Sequence, residues 1–167
     1  LYDFQIKITD KLEDVVHGKS IRLNINIPPR YRKTYLAVKL FIAYSMAITS
    51  GRSKFIHLSY SQTLALDNSE EIRDLIMSDV FQRLFPEVQI KKDSKSKEKW
   101  YTTNGGGVYA TAAGGQVTGF GAGSSPEEYE KELENTIDEF FSKNFNLEKE
   151  KFGGAIIIDD ANKPEDA

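Results

Sequence analysis

Hydrophobic positions change their spacing several times along the chain, and each change marks an element. Residues 3 to 17 carry Phe4, Ile8, Leu12, Val15 and Val16 near the helical period, and Gly18 follows as a stop. In 20–27 the period becomes two: Ile21, Leu23, Ile25 and Ile27 alternate with polar residues and run into Pro28-Pro29. That spacing predicts a strand feeding a loop. From Lys33 to about Ser50 the helical spacing returns, with Leu36, Leu40, Ala43, Tyr44 and Ala47 on one face and Gly51 after it.

The segment 54–61, KFIHLSYS, predicts a second short strand. One or two helices follow, ending at Pro86, and EVQIKKD predicts another strand. Residues 99–123 are aromatic, Thr-rich and cut by glycines, which predicts a hairpin turning at Gly105–Gly107. Residues 126–143 predict a Glu-rich helix with Pro126 in its first turn. The last element, GGAIIIDD, is an apolar run of the kind found in strands buried on both faces of a parallel sheet. Helices alternating with strands in this order predict an α/β fold with a parallel sheet.

Composition narrows the chemistry. The 167 residues are enough for one domain with a substantial core. A net charge of −3 gives no global basic field, so any nucleic-acid contact rests on a local patch. The chain has no cysteine and two histidines, His17 and His57, which excludes disulfides, thiolate metal sites and a histidine-rich site. No apolar run approaches the roughly 20 residues needed to span a bilayer. The start at Leu1 and the stop just after an apolar strand predict a piece of a longer chain.

The stretch LNINIPPRYRKTYLAVKLF places a basic loop and a Lys-Thr pair between a strand and a helix. That is the layout of the phosphate-binding loop G-x-x-x-x-G-K-[ST], although Ile27 and Arg32 stand where it has glycines. Lys33 has the charge and reach for β/γ phosphates, and the Thr34 hydroxyl suits Mg²⁺. Backbone N–H groups from Arg30 onward suit phosphate, Pro28 and Pro29 stiffen the loop, and Arg30 and Arg32 add charge. A positive φ at Arg32 would cost roughly 1 kcal/mol. The competing reading is a basic turn between two core elements. AIIIDD supplies the second half of a nucleotide site: a buried strand ending in an acidic pair, with Asp159 placed for Mg²⁺ and Asp160 for the attacking water.

Other candidates have simpler structural readings. GGGVYA fits a dinucleotide pattern but sits in hairpin-like surroundings. His57 lies within an apolar strand as a packed histidine. The Lys-rich run 91–99 reads as a solvated loop before a DNA contact, and Arg73 and Arg83 as surface salt bridges before groups serving a neighbouring subunit.

In its ordered blocks the chain resembles the ATPase domain of the large terminase subunit of tailed bacteriophages. GKSIRLNINIPPRYRKT resembles that family's G…RLLINMPPRHGKS, and VFQRLFPEVQI its Y..LFP segment. HLSYSQTLALDNSEEIRDLI resembles ASYS…LA…VR.LI, and KWYTTNGGGVYATAAGGQVTGFGAG resembles W.T..GGG..A.GVGG.ITGRGA. IIIDDANKPEDA resembles its Walker B strand. The likeness covers nearly the whole chain except 124–152.

The resemblance implies a P-loop NTPase of the ASCE/RecA-like three-layer type, with a mainly parallel central sheet, a β-hairpin region and a helical insertion at about 124–152. Residues 1–167 would be the N-terminal ATPase domain, without the family's C-terminal nuclease domain. The implied activity is ATP hydrolysis with Mg²⁺, driving viral double-stranded DNA into a procapsid in the host bacterial cytoplasm. The implied partners are that DNA, the portal protein, the small terminase subunit and further copies in a homo-oligomeric ring, with no membrane. The implied nucleotide-binding residues are Gln5, Pro29, Arg30, Tyr31, Arg32, Lys33 and Thr34. Gln5 would read the adenine edge, Thr34 and Asp159 would hold the metal, and Asp160, Arg30 and Lys33 would be catalytic. Asp160 stands where many related motors have Glu. Two rival readings remain: a helicase-like ATPase, and a degenerate loop module that binds DNA or packaging partners without hydrolysis.

Overall fold

The computed structural model describes residues 2–94, 96–113 and 152–160. The Glu-rich helix expected at 126–143, the glycine run from 114 and the polar run from 161 lie outside the described residues.

Helix α1 spans Asp3–Val16 and buries Ile8, Leu12 and Val16, as its spacing predicts. The helix expected from Lys33 is wound in two ways. Tyr35–Leu40 is a π-helical stretch, where the Phe41 N–H reaches back to the Leu36 carbonyl, and α2 (Phe41–Ile48) continues it as an α-helix. Helix α2 is buried on most sides through Phe41, Ile42, Ala43, Met46 and Ala47. Tyr44, expected on the core face, is 41% exposed and donates its hydroxyl to Glu13 of α1 at 3.2 Å. The helical region before Pro86 is two helices, α3 (Gln62–Met77) and α4 (Asp79–Leu84). Ser61 caps α3 and Ser78 caps α4, each hydroxyl accepting a first-turn N–H.

The four strands are β1 (Lys54–Ser59), β2 (Lys99–Tyr101), β3 (Gly107–Ala112) and β4 (Gly154–Asp159). They form one sheet in the order β2-β3-β1-β4. β1 lies parallel to both β3 and β4, with Ser59 opposite Ala112 and Asp159, while β2 pairs antiparallel with β3. The fold is therefore α/β, with a mostly parallel mixed sheet. The expected hairpin is present, with Tyr101 opposite Gly107 and Gly105 turning at φ 90°.

Phe55, Val108 and Trp100 are cross-strand neighbours on one face, and the buried Trp100 indole donates to Ser69 of α3 at 2.9 Å. The core closes here around Ile42, Met46, Ile72 and Ile76. His57 and Ser59 follow Phe55 on this face by strand alternation, and Asp159 joins them through its register with Ser59.

Three expectations change. Residues 20–27 are not a strand of the sheet: among the described residues no backbone hydrogen bond joins 21–27 to β4. Leu23, Ile25 and Ile27 pack on the core while Ile21 is 91% exposed, so the alternation records one-sided burial without strand pairing. A cavity of about 730 Å³, lined by Ile21–Ile25 and Ala155–Ile158, separates this extended segment from β4. The strand expected in EVQIKKD reduces to a single bridge, Ile90 to Thr102, with the Lys91 N–H donating to the Tyr101 carbonyl and the Thr103 N–H to the Gln89 carbonyl on either side of it. Nor is β4 buried on both faces. As the outer strand it leaves Ile156 and Ile158 61% and 63% exposed, since no described element covers that side.

Candidate functional site

Two segments 125 residues apart in the chain meet beyond the C-terminal ends of β1 and β4. Parallel strands bring their last residues to one edge, so Ser59 and Asp159 finish side by side. Beyond them the Tyr60 N–H donates to the Asp160 carbonyl at 3.0 Å, which ties the second aspartate to the end of β1. At the other end of β4, Gly154 adopts φ 126°, and a Cβ there would lie 1.8 Å from the Lys54 carbonyl. Only glycine permits that pairing, so Gly154 sets the placement of the strand that delivers Asp159.

The loop before the π-helical stretch arrives from the opposite side. Arg30 has φ 69° and Arg32 φ 61°, both in the left-handed region. The Arg32 carbonyl already accepts the Leu36 N–H at 3.0 Å, which opens the helical turn. Thr34 is fully helical (φ −56°, ψ −41°) and sits at the cap position without capping. Its hydroxyl donates instead to Asp159 Oδ2 at 2.6 Å.

Lys33 completes the cluster. Its ammonium bonds the Asp160 carboxylate and lies 3.5 Å from Asp159 Oδ1. The hydrogen bond to Asp160 raises the Lys33 pKa above its usual value, partial burial opposes the rise, and Asp159 adds to it. Asp159 is nearly buried and Asp160 mostly exposed. Among the described residues four non-glycines have positive φ, and three of them, Arg30, Arg32 and Asp160, belong to this site. Such strain gathers where the surrounding structure dictates the conformation, commonly at ligand sites.

The cluster suits a phosphate with a hard cation. Thr34 and Asp159 offer oxygen ligands from two directions, the donor type Mg²⁺ prefers. The direct Thr34–Asp159 hydrogen bond puts both oxygens within reach of one ion. Lys33, Arg30 and Arg32 supply positive charge on the loop side. Among the described residues no group of three or more His, Cys, Asp or Glu could hold a metal.

The structure thus brings Lys33, Thr34, Asp159 and Asp160 together, with Arg30, Tyr31 and Arg32 on the same loop. Pro29 lies in the exposed turn that begins it. Gln5 is buried in the first turn of α1, its Oε1 accepting the Tyr2 N–H at 3.2 Å. Helix α1 reaches the loop through Phe4, whose ring meets Tyr31 edge-on at 5.6 Å.

The remaining candidates stay apart from the cluster. Arg73 bonds the Ser96 carbonyl and pairs with Glu70, and Arg83 bonds the Asp79 carbonyl. In the Lys-rich run, Lys97 pairs with Glu70 at 2.6 Å. GGGVYA enters a hairpin strand, not a helix. His57 is fully buried, with neither ring nitrogen hydrogen-bonded. Burial lowers its pKa, and nearby Asp159 opposes that. Its place behind Asp159 had no signal in the sequence, because strand register set it.

No family model, curated protein or solved structure matches this chain. Among the described residues no helix is long and apolar enough to cross a membrane.

Proposed function

We propose that the chain is a nucleotide-binding motor domain that hydrolyses ATP with Mg²⁺, of the kind found in phage terminase large subunits. The carrying observation is the meeting of Lys33-Thr34 with Asp159-Asp160, in the order and contexts that phosphoryl-transfer sites use. The mostly parallel mixed sheet is compatible with a three-layer α/β fold, the class to which P-loop domains belong.

On this reading Lys33 leaves Asp160 and places its ammonium on the β/γ phosphates. Arg30 and Arg32 add charge beside them, and loop N–H groups cradle the phosphate oxygens. Thr34 and Asp159 would hold Mg²⁺, which when bound neutralises phosphate charge. Released from Lys33, Asp160 becomes free to orient and deprotonate the attacking water. Resting charge pairs thus exchange for ligand pairs. By resemblance, the work done is the packaging of viral double-stranded DNA, with the portal, the small terminase subunit and neighbouring copies as partners in the host cytoplasm.

The test is a calorimetric titration of a non-hydrolysable ATP analogue with Mg²⁺ into the protein, beside Lys33→Ala. Binding that disappears in the variant supports the reading, and DNA-stimulated hydrolysis by the assembled motor is the next measurement. Equal binding in both proteins would sink it. One observation favours a second reading, a loop module that binds DNA or packaging partners without turnover. Lys33 is already paired with Asp160, and arginine holds the strained loop position. Absence of Mg²⁺-dependent nucleotide binding would select that reading.

A further inference from the structure

Of the aromatic rings beside the phosphate loop, Phe4 packs against the core while Tyr31 and Tyr2 are exposed. Tyr31 stands between Arg30 and Arg32, two residues before Lys33, and is 50% exposed. Its ring meets Phe4 edge-on, with planes at 68°. Phe4 stacks on Tyr2 at 6.0 Å and 10°, and Tyr2 is 74% exposed. Three rings therefore run from the start of α1 to the loop that carries Lys33.

This row is braced from behind. The Tyr2 N–H donates to Gln5 Oε1 at 3.2 Å, and the Gln5 N–H donates to the Tyr2 carbonyl at 2.8 Å. The reciprocal pair closes the first turn of α1, where a helix otherwise frays. Tyr2 and Phe4 are thereby held against Tyr31, although much of the row faces water. Aromatic surface of this kind, rigid and wet beside a cluster of phosphate-binding chemistry, matches the flat apolar face of a nucleobase. Arginines on either side of Tyr31 serve the charged end of the same ligand.

We propose that Tyr31, braced by Phe4 and Tyr2, is the platform on which the nucleotide's base stacks. The inference rests on the nucleotide reading given above and deepens it. The base lies on the aromatic row while the phosphates reach Lys33 and Thr34. A stacking face carries no hydrogen-bond code, so the site favours purines over pyrimidines by ring area and separates ATP from GTP poorly. Gln5 is a positioning residue for this platform: its carbonyl oxygen is taken by the Tyr2 N–H.

The experiment compares MgATP, MgGTP, MgCTP and magnesium tripolyphosphate by calorimetry, on the wild-type protein, Tyr31→Ala and Tyr31→Phe. The wild type is expected to bind ATP and GTP about tenfold tighter than tripolyphosphate, the size of one base–aromatic stack. Tyr31→Ala is expected to lose that increment and keep its tripolyphosphate affinity, while Tyr31→Phe retains it. Because Tyr31 is half exposed, truncation leaves the core intact, and unchanged tripolyphosphate binding verifies the fold. Equal weakening of ATP and tripolyphosphate in Tyr31→Ala overturns the platform, because Tyr31 then acts through the loop. Unchanged ATP binding in that variant overturns it too. A wild type that binds tripolyphosphate as tightly as ATP overturns the platform and leaves the phosphate site standing. A wild type that binds neither overturns the nucleotide reading as well.

Discussion

The Thr34 hydroxyl donates to Asp159 Oδ2 at 2.6 Å, joining the loop after the extended segment to the tip of β4. A threonine at a helix start ordinarily caps its own helix. Thr34 is itself helical, at φ −56° and ψ −41°, so its hydroxyl has no capping role and is free to meet the acidic strand.

This pairing predicts a separable pair of effects. Thr34→Val removes one partly buried hydrogen bond and is expected to lower stability by about 1 kcal/mol. The same change is expected to weaken Mg²⁺-dependent nucleotide binding at least tenfold, with little effect on Mg²⁺-free binding. Titrations with and without Mg²⁺ check this, and equal losses in both would count against a metal role for Thr34.

Arg32 holds φ 61° without glycine's freedom. Arg32→Gly removes strain of about 1 kcal/mol, partly offset by the more flexible unfolded chain. A small rise in melting temperature is expected. Affinity for the triphosphate should fall, because a cation is lost beside the phosphates. A variant that is less stable and binds more tightly would contradict both halves of this account.

Gly154 and Gly18 both have positive φ but differ in surroundings. A Cβ at Gly154 would lie 1.8 Å from the Lys54 carbonyl, whereas one at Gly18 meets nothing within 4 Å. Gly18→Ala should cost about 1 kcal/mol from backbone strain alone. Gly154→Ala should cost more than about 2 kcal/mol and also weaken nucleotide binding, since β4 must shift and carry Asp159 with it. Urea denaturation of the two variants gives the comparison, and similar losses in both would refute the close-packing argument.

His57 gives a pH dependence whose sign follows from burial. Its folded pKa lies below the ordinary 6.5, so the unfolded chain takes up a proton first as the pH falls. Stability therefore drops as the pH falls through 6.5, and the drop ends below the folded value. His57→Leu has no such proton to gain. Between about pH 7 and pH 5 the ligand-free variant should lose less stability than the wild type, measured by urea denaturation at each pH. Parallel losses would mean that the folded protein protonates His57 as readily as the unfolded chain.

Most helices were legible in the sequence because each buries one face, and burial imposes the helical period on residues such as Ile8, Leu12 and Val16. The hairpin was legible because its turn needs glycine at Gly105. The extended segment 20–27 departs from its strand-like spacing for a related reason. Alternation reports which side chains are buried, and it is silent about whether backbone groups find a neighbouring strand. Ile156 and Ile158 misled likewise, since an apolar run shows what a strand tolerates and not what covers it.

The parts of the candidate site are readable along the chain: a Lys-Thr pair behind a basic loop, an acidic pair behind an apolar strand, and the strained position at Arg32. Residue type and local spacing suffice for these, because charge, ligand chemistry and backbone freedom are properties of single residues and their near neighbours. Folding in three dimensions is what rests Lys33 on Asp160, turns Thr34 to Asp159, gives Arg30 the left-handed backbone, and sets His57 behind the acidic strand. Those relationships depend on strand register and on the approach of two segments more than a hundred residues apart, and no local spacing encodes either.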